Sequence, residues 1–199
     1  MRQFVLVGHD AATTDDFPLE DLTGAGGRMD LLARSVIDAL LTSHGIREDV
    51  RVHLVLQDEV TVRLDGARLR NLHPDERAAA ALIRSALAER DEAIGHQPVE
   101  PSPGLSLVRF GLEETLDAVA DDGPLVRLGG DGTPAADAAV PTDPVFVLSD
   151  HRPFTDDELS LVDERAAKTR SLGPVAVHAD QAITVAHNWL DTGGFVRYE

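Results

Sequence analysis

The chain has 199 residues, of which 43% are apolar and 27% charged, with 35 Asp and Glu against 18 Lys and Arg and no cysteine. The cysteine count excludes a disulfide scaffold, thiolate metal sites and a thiol nucleophile, and the ordinary apolar content excludes disorder as the reason for a net charge of −17. Lys168 is the single lysine. An acidic surface of this kind suits a halophilic setting: at about 1 M salt the Debye length is about 3 Å, so hydrated carboxylates no longer repel one another. The charge thus reports the solvent more than the ligand, and any nucleic-acid surface must be a local arginine cluster. No apolar run reaches the ~18 residues of a membrane span, and the N-terminus lacks the apolar core of a signal peptide. A soluble, cytoplasmic protein is expected.

Along the chain, Gln3–Val7 reads as a buried strand. The glycine turn 23–27 (TGAGG) precedes a helix with Met29, Leu32, Val36, Ile37, Leu40 and Leu41 on one face, ending near Gly45 as a C-cap. Arg51–Leu56 and Val60–Leu64 read as strands joined by a QDE turn. Pro74, Asp75 and Glu76 open a second helix that ends by Gly95. Gln97–Gly104, with three prolines, reads as a loop. A strand (Leu105–Phe110), a helix (Leu112–Ala120) and a short strand (Leu125–Leu128) follow, the last running into a glycine turn at 129–132. Pro144–Leu148 is a continuous apolar run, as a central parallel strand should be. Thr155 caps a helix to about Lys168, Ser171–Val177 reads as a strand or strand-like loop, and Ala179–Leu190 is the last helix.

Strands alternating with helices predict a single α/β domain with a mainly parallel sheet and helices on both faces. Ligands in such sheets bind outside the carboxyl ends of the strands. Three of those ends carry unusual residues: LGGDG at 128–132, SDH at 149–151 and SLGP at 171–174. Neither a dinucleotide fingerprint nor a phosphate loop is present at the glycines. Ser149, Asp150 and His151 are adjacent, so they cannot converge as a hydrolytic triad. His178, Asp180 and His187 give a weak metal pattern, because zinc wants three or four converging ligands; no metal is expected, and Asp180 reads more simply as a helix-dipole partner. Arg28 and Asp30 flank the start of the first helix, where an arginine is well placed for phosphate and an aspartate could accept a proton.

Four stretches, GAGGRMDLLARSV (24–36), SHGIREDV (43–50), PVFVLSDHRPF (144–154) and RSLGPVAVHADQAITVAHNWLD (170–191), together resemble the archaeal tRNA pseudouridine N1-methyltransferases of the SPOUT class. The resemblance implies a C-terminal trefoil knot with cofactor loops over about 125–199, a homodimer, S-adenosylmethionine as cofactor, and methylation of pseudouridine at position 54 in the tRNA T-loop. It also implies that Leu128 and Ser149 line the adenosine pocket, that Leu172, Gly173, Pro174, Val175, Ala176 and Val177 wrap the cofactor through backbone groups, and that Ala182 faces the same pocket. Relatives often carry glycine at the place of Ser149 and cysteine at that of Ala182. For such a reaction Asp30 is the expected proton acceptor, Arg28 the group that orients base or phosphate, and Asp150 the second choice of acceptor. Arg28, Arg34, Arg47 and Arg51 are the expected RNA contacts. Ribosomal RNA as substrate, a non-catalytic nucleotide-binding module and a metal-dependent hydrolase are the alternatives.

Overall fold

The structure is a computed structural model and describes residues 1–198. Strand β1 (Arg2–Gly8) is central, lying between β9 (Val145–Ser149) and β4 (Val50–Leu56), both parallel to it. Beyond β9 come β8 (Leu125–Pro134) and the edge strand β10 (Lys168–Ser171), again parallel. Beyond β4 come β5 (Val60–Asp65), β7 (Leu105–Val108) and the edge strand β6 (Val99–Ser102), each antiparallel to its neighbour. The eight-stranded order is β10-β8-β9-β1-β4-β5-β7-β6. A separate two-residue hairpin pairs β2 (Leu41–Thr42) with β3 (Gly45–Ile46).

Strand β1 shows why the fold has two covered faces. Phe4 and Leu6 point into one apolar cluster while Val5 and Val7 point into another, the alternation that a strand's period of two imposes. The first cluster is roofed by α1 (Met29–Leu40), α2 (Glu76–Ala88) and α5 (Ala179–Asp191). The second is roofed by α3 (Leu112–Val119) and α4 (Asp156–Arg165). Trp189 of α5 is fully buried against Phe146, ring centroids 6.4 Å apart, and Phe146 stacks on Phe4 at 5.4 Å. The helix starts follow their caps: Asp75 accepts from the Ala78 N–H at 3.0 Å, and Thr155 and Glu158 form a reciprocal capping box.

Several expected boundaries move. The last strand is Lys168–Ser171, not Ser171–Val177, and α4 stops at Arg165 rather than near Lys168. The glycines at 129–132 are not a simple turn but a bulge inside β8, after which β10 pairs again at Thr133 and Pro134. Gly132 is needed there, since a Cβ would sit 2.6 Å from the Arg170 nitrogen. Within the expected loop 97–104, Val99–Ser102 is an edge strand, which tolerates the proline of its sequence because one side of it goes unpaired. Gly45 does not cap α1; the helix ends at Leu40 and Gly45 opens the second strand of the small hairpin.

Candidate active site at the carboxyl ends of the strands

The ends of β1 and β9 are tied together by one carboxylate. His9, the residue after β1, donates its backbone N–H to Asp150 Oδ2 at 2.9 Å, and its ring Nδ1 lies 2.9 Å from Asp150 Oδ1. The other ring nitrogen, Nε2, lies 3.0 Å from Glu158 Oε2 at the start of α4. Asp150 Oδ1 also accepts from the Arg152 N–H at 2.9 Å, and the carboxylate is buried. Burial alone would lower the His9 pKa, but hydrogen bonds and charge from Asp150 and Glu158 override it and hold the imidazole above its ordinary value. The Ser149 hydroxyl donates to the Arg152 carbonyl and closes the turn.

The start of α1 packs onto the segment that leaves β1. Gly27 adopts φ +60°, and a Cβ there would meet the Asp10 carbonyl oxygen at 1.7 Å. Arg28, also left-handed at φ 66°, follows it. Asp30 accepts from Arg28 Nε at 3.0 Å and from Arg34 at 3.0 Å, and only 5% of it is exposed. Its burial raises the pKa, but the two guanidinium groups outweigh that and hold the carboxyl below its usual range. Arg34 then reaches Asp180 in the first turn of α5 at 2.8 Å and Glu76 of α2 at 3.2 Å. One arginine therefore clamps the starts of α1, α2 and α5 together.

Just before α5 lies the stretch 172–178. Among the described residues, the backbone groups of 173–177 form no hydrogen bonds with other backbone groups, and Gly173 accepts only the Ser171 hydroxyl, at 3.0 Å. Val175 and Val177 are exposed, at 73% and 49%. Leu128, Leu172 and Ala182 are half-buried and pack on the same core cluster. A run of backbone groups without backbone partners, beside apolar side chains, fits a ligand with an apolar body and polar edges.

A family model of SAM-dependent RNA methyltransferases matches residues 1–195. The chain belongs to that family. A relative from Haloarcula marismortui, named tRNA (pseudouridine(54)-N(1))-methyltransferase, is 62% identical to this RNA methyltransferase, with all of both chains covered. One of the same name from Haloferax volcanii is 56% identical, again over the full length of both. Among solved structures, Archaeoglobus fulgidus Nep1 bound to S-adenosylhomocysteine superposes with a TM-score of 0.68, covering 96% of this methyltransferase and 97% of that chain at 12% identity, and so shares the fold.

The methyltransferase brings some expected site residues together and scatters others. Arg28, Asp30 and Arg34 form one ion-pair cluster, and the Asp150 charge is felt at Arg28. Arg47 pairs with Asp191 at the last turn of α5, near Arg2 at the start of β1, and Arg51 pairs with Asp65, so both lie toward the amino ends of the parallel strands. His178, Asp180 and His187 do not converge: Asp180 is held by Arg34, while His187 Nε2 donates to the Ala39 carbonyl at 3.0 Å. No group of three metal-ligating side chains occurs among the described residues, and no helix is long and apolar enough to cross a membrane. His9 and Glu158 escaped the sequence reading. The available signal was Gly-His-Asp at 8–10, which follows a buried strand just as Ser-Asp-His does at 149–151.

Proposed function

We propose that this chain transfers a methyl group from S-adenosylmethionine to N1 of pseudouridine at position 54 of tRNA. The observation that carries the reading is Arg34, which joins Asp30 to Asp180 and so holds the Asp30 carboxylate beside the helix that the 173–177 backbone leads into. The full-length relatives of that name support the substrate. Leu128, Ser149, Leu172, Gly173, Pro174, Val175, Ala176, Val177 and Ala182 are the residues that would hold the cofactor. The cofactor supplies an electrophilic methyl group on a sulfonium, and its displacement demands in-line placement more than covalent help.

The protein's own part is to hold the base and remove a proton from N1. Arg28, about a third exposed, is the group that turns toward RNA. When it does, Asp30 loses two of its hydrogen bonds and its basicity rises toward that of an ordinary carboxylate. Asp30 is then the acceptor for the N1 proton. Asp150 is a positioning residue, since its oxygens already hold His9 and Arg152. The target base is splayed from its loop. Ala182 means that no thiol takes part at that position.

The same reading makes the molecule a soluble, cytoplasmic homodimer with a C-terminal knot. Exposed Val175 and Val177 support a covered surface, and a chain that leaves edge strand β10 only to lay α5 against α1 supports the knot. The test is transfer of label from S-adenosylmethionine to a T-arm RNA in molar potassium chloride. Label in the RNA carrying pseudouridine, and none in its uridine counterpart, is the expected result. Equal labelling of both, or failure to bind S-adenosylmethionine, overturns the proposal.

A further inference from the structure

The face of the sheet that carries α3 is only half covered over its antiparallel strands. A cavity of about 300 Å³ opens there between β4, β5, β7 and the end of α3. Arg51 and His53 of β4, Arg63 and Asp65 of β5 and Ser106 of β7 line it. Val55, two residues beyond His53, is apolar core on the same face, so polar groups have replaced apolar ones where the strand's period would continue the core. This place is remote from the carboxyl-end site, because Arg51 is the second residue of β4 and the site lies past the strand's last residue.

Arg51, Arg63 and Arg68 face Asp65, Glu100 and Asp122 there, so the charges match in number but not in pairing. Arg51 has Asp65 at 3.0 Å, and Arg68 has Glu100 at 2.6 Å. Arg63 has no carboxylate partner among the described residues; its Nε is buried without a hydrogen bond, and its guanidinium lies 5.1 Å from the centre of the Phe110 ring. His53 is 2% exposed. Its Nε2 lies 2.7 Å from Gln3 Oε1, and the Gln3 amide nitrogen donates to Asp122 at 2.7 Å, so His53 donates from Nε2. Its Nδ1 is then a buried lone pair with no donor. Burial first, and then the charges of Arg63 and Arg51, pull the His53 pKa down to about 3, so the ring is neutral and the lone pair available. The cavity offers an unused cationic donor and an unused acceptor side by side, an arrangement that costs stability unless something uses both.

We propose that this cavity binds inorganic hydrogen phosphate, whose oxygens accept from Arg63 and whose hydroxyl donates to His53 Nδ1. A bare anion such as sulfate satisfies only the arginine, and a site built to bond a hydroxyl discriminates strongly against ligands lacking one. The inference stands apart from methyl transfer and survives its failure.

The test is a titration of the full-length protein with inorganic phosphate near pH 8, at constant ionic strength in molar potassium chloride, reading the ring-nitrogen NMR signals of His53. A saturable shift is expected, with sulfate at least about tenfold weaker. Arg63→Gln should weaken phosphate by about tenfold or more, and Ser106→Glu, which leaves Arg63 and His53 in place, should block it by adding a carboxylate. Absence of a saturable shift, sulfate binding as tightly as phosphate, or unchanged phosphate binding by both variants overturns the proposal. The comparison of phosphate with sulfate needs no variant, so it decides the matter even if a substitution unfolds the chain.

Discussion

Gly27→Ala tests how the backbone builds the start of α1. The new Cβ would sit 1.7 Å from the Asp10 oxygen, 2.6 Å from the Asp10 carbonyl carbon and 3.2 Å from the Ala11 Cα, all backbone atoms that cannot swing aside. The turn must therefore shift by more than an ångström. Holding alanine left-handed costs ~1–2 kcal/mol. The shift also endangers the bonds from Ala12 N to the Gly26 carbonyl (3.2 Å), Gly27 N to the Gly24 carbonyl (2.9 Å) and Arg28 N to the Thr23 carbonyl (3.3 Å), each worth ~1 kcal/mol. Loss of two brings the total to about 3–4 kcal/mol, a fall in Tm of about 10 °C for a chain of this size. Turnover should fall further than stability does, by about 100-fold in molecules that remain folded, because Arg28 and Asp30 move with the turn. The assay pairs thermal unfolding in molar potassium chloride with single-turnover methyl transfer. Gly45→Ala is the control: nothing lies within 4 Å of its Cβ position, so its Tm should stay within a few degrees of the parent. A Gly27→Ala protein with the parent's Tm and rate would refute the reasoning.

Asp30→Asn should leave S-adenosylmethionine affinity intact by calorimetry and lower turnover by about 100-fold; an undiminished rate assigns Asp30 to structure alone. Trp189→Ala empties a fully buried site against Phe146 and should cost ~3–5 kcal/mol in denaturant unfolding. The raised pKa of His9 means that the folded chain holds that proton more tightly than the unfolded one. Its stabilising contribution is complete below about pH 6.5 and disappears as pH climbs through the raised value. Wild-type Tm should therefore fall over that range more than the Tm of His9→Gln does, and identical pH profiles would show that the Asp150–His9–Glu158 link carries no such contribution.

Much of this molecule could be read from residues near one another in sequence. The apolar run of β1, the antiparallel pair β4 and β5 with Gln57 and Asp58 at positive φ in their turn, and the capping signals of α2 and α4 are all local, and the structure has them where the pattern puts them. Strand β10 carries no apolar signal in Lys-Thr-Arg-Ser, and an edge strand with no fully buried residue needs none. Of the apolar SLGPVAV, only Ser171 belongs to the strand; the residues from Gly173 to Val177 are exposed and have no backbone partner. At the site, Arg28 and Asp30 are legible because they lie only two positions apart. Arg34 and Asp180 lie 146 positions apart, and His9 and Glu158 lie 149 apart. No spacing rule joins such pairs; only the return of α4 and α5 to the ends of the sheet does so.

The two edges of the sheet are guarded in different currencies. Strand β6 carries Pro101, with Pro98 just before it, and its pairing with β7 is irregular, so a second strand meets missing donors and a bent backbone. Strand β10 opens with the chain's single lysine and carries Arg170, a guard made of charge. A missing N–H is indifferent to ionic strength, whereas charge repulsion between copies fades once the screening length shrinks to a few ångströms. Raising salt therefore loosens the protection of one edge and leaves the other untouched.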